Sequence, residues 1–172
     1  MSTIRYLTVE QRVMNRIKTE LESINVSNGY GTNVSQVMIT RELPQRPDAD
    51  DIVYMFPVGT VPNPNCNSRE YQTLTLEVWF FKQRLEGQDM EYTTFGGDIR
   101  RALSLCSLED TTHPQPHMTG IFLKELRTVP MYDMPGDQTV AGMIEYEVEF
   151  WSSVNDYRLW DDVYDNLVEI EE

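Results

Sequence analysis

One nine-residue run constrains the fold more than any other part of the chain: Met143-Ile144-Glu145-Tyr146-Glu147-Val148-Glu149-Phe150-Trp151. A β-strand places successive side chains on opposite faces. The run therefore predicts a strand with Ile144, Tyr146, Val148 and Phe150 on a buried face and Glu145, Glu147 and Glu149 on an acidic one. A helix would scatter the same residues around its circumference. The strand needs neighbours in a sheet and a layer to cover its apolar side, so the rest of the chain must supply both.

The chain supplies them in a readable order. Val13, Ile17, Leu21 and Ile24 recur at helical spacing, which predicts a helix over 8–24. Thr8-Val9-Glu10-Gln11 has the form of a capping box at its start. Asn28-Gly29-Tyr30-Gly31 closes it with turn residues. A strand over 34–42 follows, then a proline-broken connection, then a short strand over 52–56 that Pro57 should stop. Residues 58–68 hold Gly59, Pro62 and Pro64 among asparagines and read as a long loop. Residues 71–83 alternate Leu74, Leu76, Val78 and Phe80 with polar positions, the clearest strand besides the first. A second helix is expected over 92–106 with Phe95, Ile99, Ala102, Leu103 and Cys106 on one side. Gly96-Gly97 weaken its first turn and predict a start as late as Asp98. Residues 111–117 read as a loop, and 118–129 and 140–151 as strands. The expected fold is α+β: an antiparallel sheet of four to five strands with two helices packed on one face. The expected division is a single domain over 1–155 and an acidic C-terminal helix or tail over 156–172. In that last segment Trp160, Val163, Tyr164, Leu167 and Val168 fall at helical spacing among acids.

Charge restricts the partners. The formal net charge is −14, which disfavours tight nonspecific wrapping of DNA, itself densely negative. The charge is uneven. Residues 1–46 carry six Lys/Arg against four acids, whereas residues 137–172 carry eleven acids against Arg158 alone. Two ends of opposite sign allow the N-terminal part of one subunit to face the C-terminal part of another, the head-to-tail contact that closes rings. A solvated acidic tail is the other reading. Arg12 and Arg16, one turn apart on the first helix, and Arg100-Arg101 on the second are either solvated or paired with a neighbouring subunit's acids. With Trp160 and Tyr164 they form the candidate subunit interface. No run of 18 apolar residues is present, and Met1–Arg5 opens no secretory signal, so a cytoplasmic protein with Cys66 and Cys106 as reduced thiols is expected.

Catalytic chemistry finds no foothold. His113-Pro114-Gln115-Pro116-His117 is too proline-bound to present both imidazoles on one helix face, and a zinc site needs four suitable ligands. Cys66 has no cation nearer in sequence than Arg69, and Cys106 reads as a small core residue. Gly-rich phosphate loops and nucleophile elbows are absent. The acids are too many and too alike to make an acid–base dyad, which needs two carboxylates in unlike environments. No enzyme, cofactor or metal is expected.

The order of elements resembles the tail terminator (tail completion, minor tail) proteins of tailed bacteriophages. The residues that carry this resemblance are the first helix with Val13, Ile17, Leu21 and Ile24; Gly29-Tyr30 and the strand over 34–42; Ile52-Val53-Tyr54-Met55-Phe56-Pro57; the strand Leu74–Phe80; the helix Asp98–Leu105; and the last strand ending at Phe150. The resemblance spans residues 8–152 and lies in element order and pattern, without an invariant motif. It implies a structural protein of the virion tail or neck, assembled in the host cytoplasm. It implies a homo-hexameric ring that caps the tail tube and meets a head-side neck protein. DNA would pass through the ring without sequence-specific binding, with Glu145, Glu147 and Glu149 as the candidate channel lining. The alternatives are a head-completion or neck connector protein of the same virion and a non-viral adaptor with an acidic tail.

Overall fold

A computed structural model describes residues 9–42, 51–62, 71–83, 91–105, 122–131 and 139–151. The elements are α1 (Val9–Glu22), β1 (Gln36–Ile39), β2 (Ile52–Pro62), β3 (Tyr71–Gln83), α2 (Glu91–Leu105), β4 (Phe122–Met131) and β5 (Thr139–Trp151), with one 3-10 turn at Val26–Asn28. The class is α+β, as the hydrophobic patterning predicts. The strands form one five-stranded sheet in the order β1-β2-β3-β5-β4.

The core lies between the two helices and one face of this sheet. Val13, Met14, Ile17, Leu21 and Ile24 from α1 and Phe95, Ile99, Ala102 and Leu103 from α2 meet Val37, Val53, Met55, the alternating Leu74–Phe80 series of β3 and the Ile144–Phe150 series of β5. The helical stripe and the two strand alternations thus bury each other. Phe80 and Phe95 pack edge to face with centroids 5.4 Å apart, the favoured aromatic arrangement.

Three features differ from the sequence expectation. First, the sheet is mixed. β2–β3, β3–β5 and β4–β5 are antiparallel, but β1 pairs parallel with β2. The 12 residues between Ile39 and Ile52 carry the chain back to the same end of the sheet, about the minimum for a parallel connection. Second, β2 runs on past Pro57 to Pro62. The Met55 carbonyl accepts from Thr40 N–H at 2.9 Å, so residue 55 turns its backbone toward β1. Residue 57, two further on, turns to the same edge. β1 ends at Ile39, and the missing N–H of Pro57 costs no ladder bond there. A bulge between Pro57 and Gly59 takes up the extra residue. Third, α2 begins at Glu91 and carries Gly96 and Gly97 inside it. A Cβ on Gly96 would stand 3.3 Å from Phe80 Cζ, so this glycine lets the helix settle closely on the sheet. The expected capping residue Thr8 and the C-terminal helix or tail lie outside the described residues.

Candidate functional site

The sheet face away from the helices falls into two halves. On β3 it carries Tyr71, Thr73, Thr75 and Glu77, then Trp79 and Phe81. On β5 it carries Glu149, Glu147 and Glu145, then Met143. The registers Glu77↔Glu145, Thr75↔Glu147 and Thr73↔Glu149 set the polar residues side by side, and Trp79↔Met143 begins the apolar half. β2 extends the apolar half with Ile52, Tyr54 and Phe56, opposite Phe81, Trp79 and Glu77. Tyr54 and Phe81 meet edge to face at 5.6 Å, and Ile52, Phe81 and Met143 are buried. The expected acidic face therefore occupies only half the length of the sheet.

Each predicted lining carboxylate has a cross-strand partner. Arg127 on β4 donates from Nε to Glu145, Lys124 Nζ lies 3.8 Å from Glu147, and the Tyr71 hydroxyl donates to Glu149 at 2.6 Å. Glu77, directly opposite Glu145, accepts from Trp79 Nε1 at 2.8 Å. Two carboxylates in direct register repel. Arg127 offsets the charge of Glu145, and the indole fixes Glu77. Among the described residues, four glutamates against Lys124 and Arg127 leave this half of the face acidic by two charges. A one-residue bulge makes the pairing possible. Lys124↔Glu147 and Glu125↔Tyr146 are followed by Arg127↔Glu145, with Leu126 left out of the ladder. Without it, Arg127 would fall opposite Ile144 and turn toward the helices.

Three of the four candidate interface arginines, Arg16, Arg100 and Arg101, find partners within their own chain. Arg16 pairs with Glu20 one turn on, at 3.0 Å. Arg100 reaches from α2 to β4, donating to both carboxylate oxygens of Glu125 at 3.1 and 3.0 Å and to the Thr128 hydroxyl. Arg101 donates to the Gly29 carbonyl at 2.6 Å and stacks its guanidinium 4.9 Å from the Tyr30 ring centroid. Arg12 lies on α1, with its side chain outside the described residues. Trp160, Tyr164, His113, His117, Cys66 and Cys106 also lie outside them.

Two polar features of the interior escape sequence reasoning. Asp98, mid-helix and buried, accepts from both the backbone N–H and the hydroxyl of Thr32, each at 2.8 Å. With Arg101 it docks the loop after α1 onto α2. The loop approaches closely at Gly31, where a Cβ would come within 2.6 Å of Thr94 Cγ2. The second is Tyr146, whose hydroxyl is buried without a hydrogen-bond partner among the described residues. Burial pushes its phenol well above the usual tyrosine range; Glu125 adds to the shift and Arg100 opposes it.

Among the described residues, no group of three or more His, Cys, Asp or Glu is placed to hold a metal ion. No described helix is long and apolar enough to cross a membrane. Neither protein-family models nor curated protein sequences match this chain.

Proposed function

We propose that this chain is a ring-forming structural protein of a tailed-phage virion, acting as the tail terminator between the tail tube and the head-side neck. The observation that carries the reading is the sheet face opposite α1 and α2. Its acidic half holds four glutamates in place by cross-strand and same-strand partners, ready to line a passage. A lining of fixed carboxylates repels the phosphate backbone, and it does so only at close range because salt screens charges beyond about 8–10 Å. The uneven charge of the two ends of the sequence supports head-to-tail contact between subunits.

Native mass spectrometry and tube-capping assays test the reading. A terminator ring should weigh six times the 20.1 kDa chain and should cap isolated tail tubes in negative stain. A twelvefold mass would move the assignment to a neck connector, and a monomer that caps no tube would leave an adaptor. Replacing Glu145, Glu147 and Glu149 together with glutamine, which sets no like charge against Lys124 and Arg127, should give particles that assemble but eject DNA poorly. Normal ejection from such particles would remove the lining role.

A further inference from the structure

Among the described side chains, those of β4 contribute least to the core. From Leu123 to Val129, only Leu123 packs against the buried cluster, and Lys124 through Arg127 are exposed. β3 and β5 each bury four large side chains in the same cluster. A backbone ladder with β5 and a few polar clasps hold β4 instead. On the face opposite α1 and α2 the clasps are Lys124–Glu147 and Arg127–Glu145, with the two cations 72% and 62% exposed. On the other face the clasp is Arg100 with Glu125 and Thr128. Exposed ion pairs of this kind contribute only about 0.2–1 kcal/mol each. The bulge at Leu126 interrupts the ladder further. Elements with few buried apolar contacts open first, well below the free energy of global unfolding.

Opening β4 uncovers the edge of β5 and strips Glu145 and Glu147 of their cations. A strand that refills the edge needs an aliphatic residue opposite Val148, a basic residue opposite Glu147 and, after an extra residue, another opposite Glu145. Among the described segments β4 alone has that pattern. We propose that β4 is an exchangeable strand: in the assembled protein, β4 of one copy pairs with β5 of the next and remakes Lys124–Glu147 and Arg127–Glu145 between subunits. The sequence allows the reach, with 16 residues between Leu105 and Phe122 and seven between Met131 and Thr139; seven extended residues span about 25 Å. Exchange requires no new type of contact, which makes it a low-cost route to self-association, and head-to-tail exchange closes a ring. Exchange of this kind rests on the self-assembly proposed above and specifies the element that joins the subunits.

The test uses the unmodified chain. Equal amounts of 14N- and 15N-labelled protein are unfolded, mixed and refolded, and the native mass is recorded. Carbodiimide then joins Lys124 to Glu147, and peptide mass spectrometry reads the isotopes on each side of the link. Mixed-isotope links are the expected result. A sixfold assembly with only same-isotope links would overturn exchange and leave the ring standing. A twofold mass with mixed links would support exchange and overturn the hexamer, and a single-chain mass would overturn both. A charge-swapped pair gives a second readout, Lys124→Glu/Arg127→Glu in one chain and Glu145→Lys/Glu147→Lys in the other. If β4 exchanges, co-refolding the two should give a mixed assembly melting several degrees above either alone. A melt that equals the two separate melts would again overturn it.

Discussion

Asp98→Ala should be among the most destabilising single changes in the helix–loop contact. The wild-type carboxylate satisfies two donors of Thr32, the backbone N–H and the hydroxyl, both at 2.8 Å, and Thr32 is only 5% exposed. Removing the acceptor leaves both donors buried without a partner. Hydrogen bonds to a charged group contribute about 1.5–3 kcal/mol each, giving a loss of roughly 3–6 kcal/mol. Two effects reduce it: alanine is a better mid-helix residue than aspartate by about 0.5 kcal/mol, and the cost of burying the carboxylate disappears. A net loss of about 2–4 kcal/mol remains, or roughly 4–16 °C in Tm for a chain of this size. Asp98→Asn keeps one carbonyl acceptor and should lose about half as much. The sharper test is a double-mutant cycle with Thr32→Val, read by urea unfolding. In the wild-type background Thr32→Val breaks a bond and should destabilise by about 1 kcal/mol; in the Asp98→Ala background it removes an orphaned hydroxyl and should be neutral or stabilising. A loss below about 0.5 kcal/mol for Asp98→Ala, or strict additivity in the cycle, would refute the assignment of this pair as the anchor of the loop.

Adjacent glycines in α2 should respond differently to alanine. At exposed Gly97 a Cβ meets nothing within 4 Å, so Gly97→Ala should stabilise by about 0.5–1 kcal/mol through helix propensity and a less flexible unfolded chain. At Gly96 the same gain is opposed by the Phe80 ring, itself packed on Phe95, and thermal melts should show a clearly smaller benefit or a loss. Tyr146→Phe removes a buried hydroxyl without a described partner and should be neutral or stabilising by about 1 kcal/mol in urea unfolding. It should also flatten the alkaline limb of the stability curve. The folded phenol titrates above its unfolded value, so the unfolded chain loses its proton first. Stability is full below the ordinary tyrosine pKa of about 10 and falls as pH rises past it. An alkaline limb unchanged in the phenylalanine variant would contradict this account.

The parts of the fold legible in the sequence are those fixed by local periodicity. β3 spans Tyr71–Gln83 as its alternation predicts, and β5 extends the predicted 140–151 by one residue. In both, a strand buried on one face leaves a period-two record in its own residues. The differences arise where a residue's meaning depends on a distant neighbour. Pro57 reads as a strand stop unless β1 is known to end at Ile39 and leave that edge unpaired. Gly96 reads as a weak helix start unless Phe80 is known to lie beneath it. The parallel β1–β2 pairing has no local signature, because the same alternation serves either direction.

The candidate site divides along the same line. The alternation of Glu145, Glu147 and Glu149 with buried residues is legible, and burial bears it out at every position from Ile144 to Phe150. Their pairing with Arg127 and Lys124 is not. Counting back from Lys124↔Glu147 in an unbroken ladder sends Arg127 to the opposite face, and only the extra residue at Leu126 brings it to Glu145. That one residue changes what the glutamate row can do. An unpaired row would repel polyanions with three charges. In the folded sheet Arg127 and Lys124 stand against two of the three, so the repulsive charge on this face depends on whether β4 stays in place. If β4 leaves β5, Glu145 and Glu147 lose their neighbouring cations together. The acidity of the face and the attachment of β4 are therefore one variable, and a substitution at Leu126 that shifts the register should move both.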